Sequence, residues 1–144
     1  MESYFKKYII LPVVLLLITA NAYSAQWIHD SALDACHAYV ATCTRVDIVS
    51  DAGTPANLNN TLANVTVTAG TGNGDWTIGN GDVSGRKLNL TEQADVPITG
   101  TGIGRKVVYS LSGTIIYWYS ITEISLTASG TITIATYDIE IKDL

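Results

Sequence analysis

Residues 107–121 read VVYSLSGTIIYWYSI, and the reading of this stretch decides the fold. Val107, Tyr109 and Leu111 alternate with Val108 and Ser110, the pair Ser112-Gly113 interrupts, and a second run rich in β-branched and aromatic residues extends from Thr114 to Ile121. Two such runs around a two-residue, glycine-containing break predict an antiparallel hairpin, because that pair can adopt the positive φ angles of a tight turn. The second run is apolar on both sides: Ile115, Tyr117, Tyr119 and Ile121 share one face, Ile116 and Trp118 the other. Such a strand is either covered twice within the fold, or it presents Tyr117, Trp118 and Tyr119 to another subunit. These three are the candidate interface residues.

Outward from the hairpin, the two-residue period recurs in short segments. Val46 and Ile48 begin it, Val65 and Val67 alternate with Thr66 and Thr68, Trp76 and Ile78 follow, and Leu88 and Leu90 alternate with polar neighbours. Val96-Pro97-Ile98 reads as an edge strand because proline cannot donate to a ladder. Residues 55–64, PANLNNTLAN, have loop composition. Near the end the phase slips: Ile132 and Ile134 fall on even positions, Tyr137, Ile139 and Ile141 on odd ones, so a bulge or bend is expected near Ala135-Thr136. The whole predicts a mainly β chain, an antiparallel β-sandwich or jelly-roll-like domain over residues 26–144, with one short N-terminal α-helix. Parallel βαβ architecture lacks the helices it would need.

That helix is expected at about 31–43. Asp30-Ser31 supplies an N-cap, and Leu33, Cys36, Val40 and Cys43 recur at helical spacing, with Trp27 and Ile28 packing beside the start. Cys36 and Cys43 are the whole thiol inventory. On one continuous helix they would lie about 10.5 Å apart along the axis, too far to bridge. A disulfide therefore requires the helix to stop before Cys43, and two buried thiols are the alternative. Cys36 and His37 are adjacent and diverge, and no CxxC or HxxxH pair exists, which argues against a metal site.

The first 25 residues form a separate object. Lys6 and Lys7 precede an apolar run from Tyr8 to Ala20, and Asn21-Ala22-Tyr23-Ser24-Ala25 offers small-residue cleavage positions after Ala22 or Ala25, the layout of a secretory signal. The run is shorter than the roughly 20 apolar residues of a spanning helix, so cleavage is expected over anchoring, and the membrane is a partner only through the leader if it stays uncleaved. The 144-residue chain carries a formal net charge of −5. Without Glu2, Lys6 and Lys7 the remainder has 6 basic against 12 acidic residues, or −6, a balance that argues against nucleic acid as a partner.

Residues 74–87, GDWTIGNGDVSGRK, pose the question of a phosphate- or ion-binding loop. A phosphate site needs its glycines between a strand and a helix N-terminus, and neither Gly79-Asn80-Gly81 nor Gly100-Thr101-Gly102-Ile103-Gly104 precedes a helical pattern. Turns between strands are the expected role, with Asp75, Asn80 and Asp82 as weak surface ligands at most. Glu92, Asp95 and Glu123 prompt a comparison with paired hydrolytic carboxylates, and a secreted hydrolase using Asp75, Asp82 or Glu123 is the last-ranked function. No cofactor motif is present.

From Gln26 onward the order of features resembles a group of small tailed-phage virion structural proteins. The resemblance is carried by Trp27 with Leu33-Asp34-Ala35, by Cys43-Thr44, by Gly79-Asn80-Gly81-Asp82-Val83-Ser84-Gly85-Arg86-Lys87-Leu88, and by Tyr137-Asp138-Ile139-Glu140-Ile141-Lys142-Asp143. It implies a β-rich, non-catalytic module of a capsid decoration or tail-accessory type, with other virion proteins and further copies of itself as partners. The leader departs from that pattern and sustains the alternative, an exported periplasmic or cell-surface protein that binds glycan or protein.

Overall fold

The computed structural model describes residues 29–72 and 74–142. The leader, Trp27, Ile28 and Asp143 therefore lie outside the described residues. Helix α1 (Asp30–Val40) is followed by nine strands: β1 (Arg45–Val49), β2 (Thr61–Thr66), β3 (Trp76–Asn80), β4 (Arg86–Leu90), β5 (Gln93–Pro97), β6 (Gly102–Leu111), β7 (Thr114–Leu126), β8 (Thr131–Ile134) and β9 (Tyr137–Ile141). They form a four-stranded sheet in the order β2-β1-β6-β7, a three-stranded sheet β3-β4-β9, and a two-stranded ladder β5-β8. Every strand pairing is antiparallel. The described residues are thus mainly antiparallel β with one short helix.

The β6–β7 hairpin closes as its sequence predicts. Leu111 pairs with Thr114, and Ser112 and Gly113 adopt φ angles of 49° and 84°. Two positive values in succession match the right-handed twist of the flanking strands. Register then carries alternation across the sheet: Val46 of β1 faces Tyr109 of β6, which faces Tyr117 of β7, and Ile48 faces Val107, which faces Tyr119. These side chains meet those of the three-stranded sheet in one core. Trp76 of β3 packs edge-on against Tyr109, with ring centroids 5.4 Å apart and planes at 73°. Leu88 and Leu90 of β4 are fully buried in the same cluster.

The slip near Ala135-Thr136 has a larger consequence than a bulge. β8 pairs with β5, whereas β9, two residues on, pairs with β4. The chain changes sheets there, and the change of phase lets Ile134 and Tyr137 both point inward. Pro97 ends β5, whose only ladder partner among the described residues is β8. Ile98 continues to a single bridge with Ala63 of β2, which ties the small ladder to the large sheet.

Three expectations are corrected. The helix ends at Val40 rather than 43, because Ala41, Thr42 and Cys43 turn their N–H groups back to the carbonyls of His37, Tyr39 and Val40. Its N-cap is His29, whose Nδ1 accepts the Ser31 N–H at 3.2 Å. Second, the 55–64 stretch is not all loop: Thr61 to Asn64 belong to β2, and Leu62 and Ala63 are buried. Third, Cys36 and Cys43 are neither bridged nor both buried. Both thiols are free, Cys36 exposed and Cys43 buried. The helix turns Leu33 and His37 inward instead of Leu33 and Cys36, and the buried His37 Nε2 lies 3.0 Å from the Arg86 carbonyl oxygen. Asp34 accepts from Arg86 Nε at 2.6 Å on the same side.

Candidate interaction surface

Strand β7 is the longest, with 13 residues, and lies at the margin of the four-stranded sheet. Tyr117, Trp118 and Tyr119 are all half-buried. Alternation divides them. Tyr117 and Tyr119 join an aromatic cluster on the core side, Tyr117 stacking on Tyr109 at 5.8 Å and Tyr119 on Tyr137 at 3.6 Å. Trp118 lies on the other face, where the Lys106 ammonium sits 5.3 Å from its ring centroid, within cation–π range. Burial pushes the Tyr117 phenol up to about 12, with a further rise from Tyr137. Tyr119 is raised by burial too, and Tyr109, deepest of the three, is raised further.

Beside β7 an apolar cleft of about 250 Å³ opens between Tyr119, Ile121 and Ile124 on one side and Ile132, Ile134 and Tyr137 on the other. Its second wall is β8 and the junction to β9, where the chain changes sheets. Sequence periodicity identified the aromatic run but not the cleft, which requires knowing where β8 and β9 part.

The second face of the large sheet holds a polar cluster that alternation alone would have placed in water. Asp47 is fully buried: its Oδ1 accepts from Arg45 Nη2 at 2.5 Å and from Thr61 Oγ1 at 3.0 Å, while Oδ2 has no hydrogen-bond partner among the described residues. Burial raises its carboxyl above the usual range against the lowering influence of Arg45. Lys106, also buried, donates to the carbonyls of Asp51 and Ala52 at 3.0 Å. The loop after β1 is thereby pinned over the sheet.

The glycine-rich stretch becomes a hairpin. β3 and β4 pair from Trp76–Leu90 to Asn80–Arg86, and Gly81 N–H closes the turn onto the Gly85 carbonyl at 3.0 Å. Its polar residues are engaged locally. Asp75 Oδ2 accepts the Thr68 N–H at 2.6 Å, which holds its carboxyl below the ordinary range. Asp82 accepts from Lys87 Nζ at 2.7 Å, and Asn80 Oδ1 accepts from Arg86 Nη1 at 2.5 Å. Asp75 and Asp82 flank opposite ends of β3, while Glu123 lies on β7 and accepts from Arg105 Nε at 2.9 Å. The structure does not gather them. Glu92 and Asp95 lie around the irregular start of β5, where Asp95 has φ 53°. Among the described residues no three His, Cys, Asp or Glu side chains are grouped to hold a metal ion. No helix of the described residues is long and apolar enough to cross a membrane.

No family model matches the chain, and no curated protein or solved structure matches it.

Proposed function

We propose that this chain is a non-catalytic structural module of a phage particle, of the capsid decoration or tail-accessory kind, acting through protein–protein contacts. In this reading it is a sandwich-type β module whose facing sheets supply rigidity and whose strand surfaces supply adhesion. The observation that carries the proposal is β7: a long marginal strand with Tyr117, Trp118 and Tyr119 half-buried, beside an open apolar cleft. Aromatic residues with one face packed and the other available are the residue types enriched in protein interfaces, where they bury much area at small entropic cost. The resemblance of the 79–88 and 137–143 segments to small tailed-phage proteins directs the contact to other virion components.

A second reading is favoured by the leader-like run from Tyr8 to Ala20. In it the chain is exported and the same surface binds glycan or protein at the periplasm or cell surface. Mass spectrometry of gradient-purified particles from cultures carrying the gene separates the two. The structural role expects stoichiometric peptides of this chain in the particle band. Their absence there, together with a chain beginning at residue 23 or 26 in a periplasmic extract, would replace it with the exported role.

A further inference from the structure

We propose that β7 is a self-pairing edge: two copies of the chain align their β7 strands antiparallel about a two-fold axis at Trp118. This joins the two four-stranded sheets into one. The inference rests on the reading of β7 as a contact strand and names its partner.

An unpaired strand edge presents a row of backbone N–H and C=O groups that templates another strand, and natural edges are blunted with lysine, proline or inward charges. Among the described strands β7 has a neighbour, β6, on one side only. Its 13 residues contain no lysine and no proline, and its one charged side chain, Glu123, is held by Arg105. The edge therefore lacks the usual protection.

The sequence of that edge specifies the second copy. Thr114-Ile115-Ile116-Tyr117-Trp118-Tyr119-Ser120-Ile121-Thr122 reads almost identically in both directions, with Ile116 and Ser120 as the one mismatch. An antiparallel ladder is itself two-fold symmetric, so an axis at Trp118 sets each residue opposite its mirror position in the other copy. Within the regular stretch Tyr117 then faces Tyr119 and Trp118 faces Trp118, and the symmetry of the sequence continues beyond it in Ile115 with Ile121 and Thr114 with Thr122. Residues directly opposite share a face, and aromatic and β-branched pairs of this kind are the favourable ones. The ladder to β6 is regular from Tyr117 to Ser120 and shifts register on both sides of that stretch, so the unbulged part of β7 includes the axis.

Charge agrees with this register. The chain is net negative, which opposes association in general, but the regular stretch at the axis, Tyr117 to Ser120, carries no charged side chain that could meet a like charge. The regular part of the edge, Tyr117 to Ser120, is only about 13 Å long, so the pairing buries less than the roughly 800 Å² per partner of a standard interface. The dimer is accordingly weak and concentration-dependent, in the micromolar range.

Sedimentation velocity of the full chain across micromolar concentrations tests this, with Trp118→Glu as the disrupting variant. The introduced carboxylate would meet its own counterpart across the axis, while within one copy Lys106 offers it a partner, so the monomer keeps its fold as checked by circular dichroism. The expected result is a reversible dimer whose dissociation constant rises at least about tenfold in Trp118→Glu. Disulfide trapping in a Cys36→Ser background tests the register independently, since opposed residues lie about 4.5–5.5 Å apart at Cα, within disulfide reach. Trp118→Cys alone should cross-link. Ile116→Cys and Ser120→Cys should cross-link only when mixed. A monomer at every concentration, or cross-linking by Ser120→Cys alone, overturns the pairing. Dimerisation without incorporation into particles would instead remove the structural role and leave the pairing intact.

Discussion

The ring of Tyr119 in β7 lies flat on the ring of Tyr137 in β9, with centroids 3.6 Å apart and planes 3° from parallel. The two residues belong to different sheets, so this stack fastens the margin of the four-stranded sheet to the margin of the three-stranded one, beside the apolar cleft that both residues line. Stacked aromatic pairs contribute about 0.5–1.5 kcal/mol beyond their buried area. Tyr119→Leu and Tyr137→Leu should each destabilise the chain, and urea denaturation of both singles and the double should give a coupling of about 1 kcal/mol. Additive effects would mean that the stack contributes nothing of its own.

Stability should fall at alkaline pH. Burial holds the Cys43 thiol up to about 11 and the Tyr117 phenol up to about 12, and Tyr109 and Tyr119 are raised as well. Unfolded, these groups release their protons near pH 8.5 for the thiol and about 10 for the phenols. Above those values the unfolded chain binds fewer protons than the folded one, so stability is intact below about pH 8.5 and is lost as pH rises toward 12. Urea midpoints measured between pH 7 and 11 should decline from about pH 9 onward. Cys43→Ala should delay the onset to about pH 10, where the tyrosines begin to act.

The two thiols should differ sharply in reactivity. Cys36 is exposed on α1, whereas Cys43 is enclosed and its thiol is held protonated by burial, and only the thiolate attacks an aromatic disulfide reagent. One thiol per chain should react promptly under native conditions, and two in denaturant. No reactive thiol in non-reducing denaturant would indicate a bridge that the fold does not contain.

At the acid end, Asp75 and Asp138 act oppositely to the tyrosines. The Thr68 N–H and the Asn89 side-chain amide hold their respective carboxyls below the usual range. Such groups stabilise the fold above the unfolded value near pH 4 and lose that contribution as pH falls below it. Asp75→Asn should flatten the decline in stability between pH 4 and 2, read as the slope of the urea midpoint against pH.

Neighbouring glycines in the β3–β4 hairpin should respond differently to alanine. A Cβ at Gly81 would collide with the Ser84 carbonyl oxygen, a backbone atom that cannot swing away, whereas a Cβ at Gly79 meets nothing within 4 Å. Gly81→Ala should cost about 1–3 kcal/mol, and Gly79→Ala should lie within about 0.5 kcal/mol of the parent, both read from thermal or urea unfolding. An equal effect at the two positions would contradict the turn geometry.

The sequence by itself determined the strand alternation, the Ser112-Gly113 turn, the apolar run on β7 and the interruption between Ile134 and Tyr137, because each depends on φ preferences and on side chains alternating over a few neighbours. It could not say that the interruption separates two sheets, because the partners of β8 and β9 lie at Gln93–Pro97 and Arg86–Leu90, some 35 to 55 residues away in the chain. Nor could it show that His37 rather than Cys36 faces the core, beside the Arg86 carbonyl, or that Asp47 is buried against Arg45 and Thr61. The margin at β7 and its cleft exist for the same reason. Which strand is left without a neighbour is a property of long-range pairing, and only the assembled tertiary structure decides it.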